Sequence, residues 1–210
     1  IKMTLKFSYF GTRGIGEPIR MLLTDQEVAF IDHRFSWEQW ADIKPTMIFG
    51  SCPCLTMGDK EIVQSGTIIR HLARIHGLNG TNEEETIFID MFYEGVRDLH
   101  ATYATMIYQN YENGRQPFIQ DVLPEHLARL EKLFRTYENG ENFVAGANIS
   151  YVDYVLFEEL DIQKILSPTA LDRTPQLKKF HEQFGERKNL TEYLKKRAIM
   201  KTPVNGNGKQ

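Results

Sequence analysis

The sequence predicts a fold of class α/β + all-α, an N-terminal mixed unit followed by a C-terminal helical bundle. Three observations carry this. Roughly the first eighty residues alternate short β-rich runs with single helical stretches. From Glu83 onward the apolar spacing is helical throughout. Between the two textures, Gly77-Leu-Asn-Gly80-Thr-Asn82 is a run of turn formers. A length of 210 residues suits two small domains. They are set at residues 1–78 and 84–210, with 79–83 as linker.

The elements follow in order. Residues 3–10 (MTLKFSYF) read as a strand with alternating and aromatic positions. The stretch from Gly11 to Gly16 is a turn, and Pro18 suits the first turn of a helix whose Ile19, Leu22 and Leu23 share a face. Val28 to Phe35 is a second strand, followed by a loop carrying Trp37, Trp40 and Pro45. Ser51–Thr56 and Glu61–Val63 bracket Gly58-Asp59, the mark of a hairpin. Ser65 is placed as the cap of a helix with Ile68, Ile69, Leu72 and Ile75 on its apolar face, ending at Gly77. Asn82 followed by Glu83, Glu84 and Glu85 starts a long helix, because carboxylates favour the positive end of the helix dipole. Its apolar stripe runs to about Glu112. Pro124 opens another helix, and Ser150-x-x-Asp153 has the form of a capping box. Pro175 and Leu190 begin two further amphipathic segments.

Composition excludes several classes. A net charge of −3 argues against a polybasic nucleic-acid binder. No stretch approaches the roughly 18 apolar residues of a membrane span. Cys52 and Cys54 would close a tiny, strained loop, so they read as free thiols in a reducing, cytoplasmic compartment. Ile1-Lys2-Met3 shows no secretory leader, although secretion stays open because residue 1 is not Met. The histidines and cysteines lack metal-ligand spacing, so no metal is expected. The glycines between 11 and 16 match neither dinucleotide nor P-loop patterns. Cys-Pro-Cys before a strand differs from the helix-opening Cys-x-x-Cys of dithiol oxidoreductases.

One ordered set is more specific. Tyr9-Phe10 ends the first strand, Arg13-Gly14 and Glu17-Pro-Ile-Arg20 follow, and Ser51-Cys52-Pro53 and Gln64-Ser65 come next. Later come Asp90-Met91, Gly95-Val96, Asp98-Leu99, Ile107-Tyr108, Ser150-Tyr-Val-Asp-Tyr154 and the tail Pro203–Gln210. Together these resemble the cytosolic glutathione transferases, in particular nematode members similar to the pi class, over residues 4–210. The resemblance implies a thioredoxin-like first domain, reduced glutathione as co-substrate with no bound cofactor, hydrophobic electrophiles as second substrate, and a homodimer. No nucleic-acid or membrane partner is implied.

Residue by residue, Tyr9 matches the family's catalytic tyrosine. Trp40, Lys44, Ser51, Cys52, Pro53, Gln64, Ser65 and Asp98 match its glutathione-binding positions. Pro53 stands at the cis-proline, Cys52 contributing backbone groups, and Asp98 reaches the ligand from a neighbouring subunit. Phe10, Thr12, Trp37, Tyr108 and Gly206 match the electrophile pocket. Phe49 matches an aromatic that inserts beside Met91, Phe92 and Gly95 of the partner subunit. Three departures bear on substrate range: Ser51 replaces the usual glutamine, Ile15 an arginine, and Trp37 a smaller aliphatic residue.

The chemistry this implies has a physical basis. A thiol of pKa about 8.5 is mostly protonated at neutral pH. A phenol donating O–H···S⁻ favours the anion, and a lowering of about two units requires roughly 2.7 kcal/mol. Two alternatives stand beside conjugation: a non-catalytic ligand-binding protein of the same fold, and a glutathione-dependent isomerase or thiol oxidoreductase using Cys52 or Cys54.

Overall fold

The structure, a computed structural model, describes residues 5–210. Residues 3 and 4 of the expected first strand lie outside the described residues. The chain forms two compact units: the described residues up to His76 together with Arg187–Gly208, and Gly77–Glu186 with the last two residues. That grouping attaches the last helix and the tail to the sheet, whereas the sequence reading placed them with the helical bundle.

In the first unit four strands, β1 (Leu5–Phe10), β2 (Phe30–Phe35), β3 (Cys54–Met57) and β4 (Lys60–Val63), form one sheet in the order β2-β1-β3-β4. β2 is parallel to β1, while β3 is antiparallel to both β1 and β4. The parallel pair requires a crossover, supplied by α1 (Glu17–Asp25). The β3–β4 hairpin turns at Gly58, whose φ of 64° suits a residue without Cβ. The expected loop after β2 is a helix, α2 (Trp37–Ile43), closed by a capping box. Gln39 N–H donates to Ser36 Oγ at 3.4 Å, and Ser36 N–H donates to Gln39 Oε1 at 2.9 Å. α3 (Ser65–His76) buries Ile68, Ile69, Leu72 and Ala73.

Ser65 is the first residue of α3 rather than its cap. The carbonyl of Gln64 accepts from Ile68 N–H at 3.0 Å, and Gln64 itself has φ 69°. The core of the unit is Phe7, Ile19, Leu22, Leu23, Leu55, Ile68 and Leu72, each nearly free of solvent. Along α1 lies α9 (Lys188–Ile199). Arg187 donates through Nε and Nη2 to Asp25 Oδ2, and Asn189 Nδ2 donates to the Asp25 carbonyl at 2.8 Å.

The second unit is helical. α4 (Glu83–Gln109) begins at Asn82, whose side-chain oxygen accepts from Glu85 N–H at 2.9 Å. It stops before the expected Glu112, because Asn110 leaves helical backbone (φ −147°, ψ 41°). α5 (Tyr111–Pro117) follows directly, then a π turn over Phe118–Val122 and α6 (Leu123–Phe134). α7 (Tyr151–Leu166) packs against α4, and α8 (Pro175–Gly185) against α6 and α7. The Ser150–Asp153 signal holds in altered form. The fully buried Asp153 carboxylate accepts from Ser150 N–H and Oγ at 2.7 Å each, and from Val144 N–H at 2.8 Å. It therefore ties the approach loop to the helix as well as closing the first turn.

Candidate active site

Tyr9 lies near the end of β1, an interior strand, and its side chain is about nine-tenths buried. The two glycines that follow make its seat. A Cβ at Gly14 would stand 2.6 Å from the Tyr9 hydroxyl oxygen, and one at Gly16 would stand 2.5 Å from the ring. Only glycine fits either place, and Gly14 also has φ 41°. The glycine run thus has a role that sequence reasoning missed. The signal was present as Gly-x-Gly just beyond a strand tyrosine, but a close approach between side chain and backbone leaves no periodic trace.

Arg20 backs this seat. It is fully buried, and its guanidinium lies 5.6 Å from the centroid of the Tyr9 ring and 5.5 Å from that of Phe7. It donates to the carbonyls of Phe10 and Thr12 at 2.9 Å each, to Glu17 Oε2 at 3.2 Å and to Asp32 Oδ1 at 3.0 Å. The strand end and turn around Tyr9 are therefore held by charge-assisted bonds in a low-dielectric setting, where such bonds are strong.

Next to Tyr9 in the chain, Phe10 lines a cavity of about 550 Å³ with Gly11, Thr12, Phe35, Trp37 and Gly206. The expected pocket residues Phe10, Thr12, Trp37 and Gly206 are brought together there. α2 arranges the aromatics: Trp37 and Trp40 stand three residues apart on one helical face. Trp37 stacks on Phe10 with centroids 4.0 Å apart, and Trp40 stacks on Phe35 at 5.4 Å. Gly206 admits the indole, since a Cβ there would stand 3.0 Å from Trp37 Nε1. Tyr108 belongs to α4 in the helical unit and is about half exposed.

Of the expected glutathione positions, seven lie in the first unit. The Cys52–Pro53 peptide bond is cis. Ser51 and Cys52 are half-buried, Pro53 is buried, and Cys54 starts β3 opposite Ser8. Gln64 and Ser65 stand at the N-terminus of α3, where backbone N–H groups and the helix dipole attract anions. Lys44 is exposed, with its stem 3.9 Å from where a Gly50 Cβ would be. Trp40 is half-buried. Asp98 lies on α4 and is exposed.

The thiols are poorly suited to ionise. Burial pushes the Cys52 thiol up to about 11, with the nearby Cys54 adding to the rise. Burial also raises Cys54, as does the charge of Glu61. Both stay protonated at neutral pH, the inert state for nucleophilic or redox work.

The expected interface residues differ in exposure. Phe49 is 68% exposed and Met91 50% exposed, whereas Phe92 is fully buried with its ring 6.2 Å from that of Phe134. Gly95 sits where a Cβ would meet Leu130 Cδ2 at 3.5 Å. Among the described residues, no cluster of three or more His, Cys, Asp or Glu side chains has metal-binding geometry, and no helix is long and apolar enough to cross a membrane.

The chain resembles known proteins over its whole length. Residues 97–197 match the family model described as "Glutathione S-transferase, C-terminal domain". The chain is 68% identical to "Glutathione S-transferase P" of Caenorhabditis elegans, covering 99% of this chain and all of that one. It is 53% identical to "Glutathione S-transferase 2" of Onchocerca volvulus with the same coverage. Among solved structures, that of the Onchocerca volvulus pi-class glutathione S-transferase superposes with a TM-score of 0.97 at 53% identity, over 99% of this chain and all of that one.

Proposed function

The chain belongs to the glutathione S-transferase family, with nematode pi-class relatives, and on that premise we propose that it transfers the thiolate sulfur of reduced glutathione to hydrophobic electrophiles, with Tyr9 as the catalytic hydrogen-bond donor. The observation that carries this reading is the Tyr9 seat: a buried phenol fixed by Gly14 and Gly16, backed by the Arg20 cation, beside an apolar cavity. The thiol gives its proton to solvent water, the phenol O–H donates to the resulting S⁻, and the sulfur lone pair forms a bond to the electrophilic carbon as the leaving group departs with the electrons of its own bond. Holding both reactants in place removes much of the entropic cost of their meeting. Glutathione is a co-substrate, and no bound cofactor takes part.

The remaining roles in this reading rest on placement. The α3 N-terminus with Gln64 and Ser65 receives the γ-glutamyl carboxylate, supported by the anion preference of such a terminus. Trp40 and Lys44 hold the glycyl carboxylate, Ser51 stands at a glutathione-binding position without the longer side-chain contact of the usual glutamine, and the Cys52 backbone beside Pro53 pairs with the cysteinyl unit. Asp98 serves the site of a partner subunit, Phe10, Thr12, Trp37 and Gly206 hold the electrophile, and Tyr108 keeps only the role that the resemblance implies. A homodimer is supported by the exposure of Phe49 and Met91, a costly feature unless covered. A cytoplasmic setting is supported by two protonated free thiols. The composition boundary, residues 1–78 and 84–210 with linker 79–83, is retained for the order of the chain. The contact grouping describes how its ends pack.

The raised Cys52 and Cys54 thiols count against the oxidoreductase alternative. A conjugation assay on the wild type and Tyr9→Phe tests the reading. Loss of the phenol is expected to lower the rate at neutral pH roughly twentyfold to thirtyfold, the change in thiolate fraction at pH 7 when a pKa near 6.5 returns to about 8.5. Absence of conjugation by the wild type overturns the reading. Activity that survives Tyr9→Phe and disappears in Cys52→Ala favours the thiol alternative.

A further inference from the structure

The C-terminal arm of the first unit reaches the Tyr9 seat by two routes. The tail takes one: the carbonyls of Pro203 and Val204 accept from the N–H groups of Arg13 at 2.8 Å and Gly14 at 3.1 Å. Gly14 is the residue packed against the Tyr9 hydroxyl. α9 takes the other. Tyr193 O–H donates to Glu17 Oε1 at 2.8 Å, and Arg197 Nη1 donates to the same oxygen at 3.2 Å. The second oxygen of Glu17 holds Arg20, which spans the Phe10 and Thr12 carbonyls and lies over the Tyr9 ring.

We propose that Tyr193 and Arg197 are positioning residues for the Tyr9-assisted transfer, acting through Glu17 and Arg20; the inference rests on the role given to Tyr9 above.

Glu17 is fully buried, so both of its oxygens need partners. With Tyr193 and Arg197 on one oxygen, the other is left oriented toward Arg20. The charged groups gathered here are Glu17 and Arg20 from α1, Asp32 and Arg34 from β2, and Arg197 from α9. These ion pairs run from α9 through α1 to β2 and hold the Arg20 cation over the ring of Tyr9. A cation fixed there favours an anion forming at the phenol's far side. Tyr193 stays neutral in this company, since burial and the Glu17 charge push its phenol well above its ordinary range. It therefore donates to Glu17 at any working pH. Arg13 stands in the turn itself, buried, with its N–H on the tail.

The test compares Tyr193→Phe, Arg197→Met and Arg197→Lys, each in the wild-type and Tyr9→Phe backgrounds. The readouts are kcat, the KM for glutathione, the pH–rate profile and the thermal midpoint. In the wild-type background Tyr193→Phe and Arg197→Met are expected to lower kcat roughly threefold to tenfold and to shift the acidic limb of the profile to higher pH. Arg197→Lys recovers part of the loss. In the Tyr9→Phe background the same substitutions leave the residual rate and profile unchanged. A lowered thermal midpoint with kcat and profile intact overturns the inference, because the contacts then serve stability alone. Equal losses in both backgrounds overturn it too, since the effect does not pass through Tyr9. A fully active Tyr9→Phe control removes the underlying reading itself, and is recognised without reference to the α9 variants. Tyr193→Phe deletes a single oxygen and keeps the packing of the ring, so it tests the proposal even if an Arg197 variant fails to fold.

Discussion

The seat of Tyr9 and the wall of the adjacent cavity lie in one unit but are built on opposite principles. The seat is buried, lined by backbone at two glycines and held by charge-assisted bonds. The wall is aromatic, with Trp37 more than half exposed on a seven-residue helix. The seat fixes one oxygen in one place, which suits the chemical step. The wall is held by ring stacking rather than by charged bonds, which on the proposed reading suits apolar electrophiles of varied shape. Preorganisation and tolerance are divided between neighbouring residues of one strand, Tyr9 and Phe10.

That contrast is broken most severely at Arg20. Arg20→Met removes the cation shared by Glu17 and Asp32 and leaves buried carboxylate without its main partner. A loss of about 3–5 kcal/mol in urea unfolding is expected, as for other buried ion pairs cut on one side. Gly14→Ala comes next. Its Cβ strikes the Tyr9 hydroxyl, so conjugation is expected to fall roughly twentyfold to thirtyfold at neutral pH, matching Tyr9→Phe. A Gly14→Ala enzyme with near wild-type kcat would show that the seat is not rigid. Trp37→Ala sharpens the other side. The KM for an apolar electrophile is expected to rise about tenfold while that for glutathione stays within about twofold, consistent with loss of one stacked ring.

The smallest effect is expected at Cys52. Cys52→Ala leaves conjugation within about twofold, because the thiol is protonated and the proposed contact with glutathione runs through the backbone. Alkylation of Cys52 is slow at pH 7 and accelerates as pH climbs toward about 11. The stability effect has a definite sign. The folded thiol is raised from 9.0 to about 11, so its contribution is whole below pH 9 and is lost as pH rises through about 11. The Cys52→Ala protein should therefore lose less stability than wild type over that window.

Much of the fold was legible in the sequence because local chemistry decided it. The Gly58 turn, the Asn82 cap and the Ser150–Asp153 pair each act within four residues, and each stands where its signal stood. α2 was hidden because Ser36-x-x-Gln39 is a weak capping pattern beside two tryptophans that read as loop aromatics. The end of α4 at Asn110 escaped notice because the apolar stripe continues into α5. At the proposed site, Tyr9, Phe10 and Trp37 were assigned roles through the resemblance. Gly14, Gly16 and Arg20 were not, since their roles arise from a ring meeting backbone and a guanidinium meeting carbonyls. No sequence spacing encodes those meetings.

The pairing of α9 with α1 also bears on how the molecule comes together. Asp25 and Arg187 are 162 residues apart in sequence, and Glu17 and Tyr193 are 176 apart. The sheet unit is therefore a discontinuous piece of chain, with Gly77–Glu186 of the helical unit spliced into its middle. Closing so long a loop adds only slowly to the entropic cost, but it delays the contact. A fragment ending near His76 would own every strand of the sheet and still lack the arm that braces its tyrosine. On the proposal above, full competence requires the returning chain to dock, so a polypeptide cut at the linker is expected to regain it only when its two pieces reassemble.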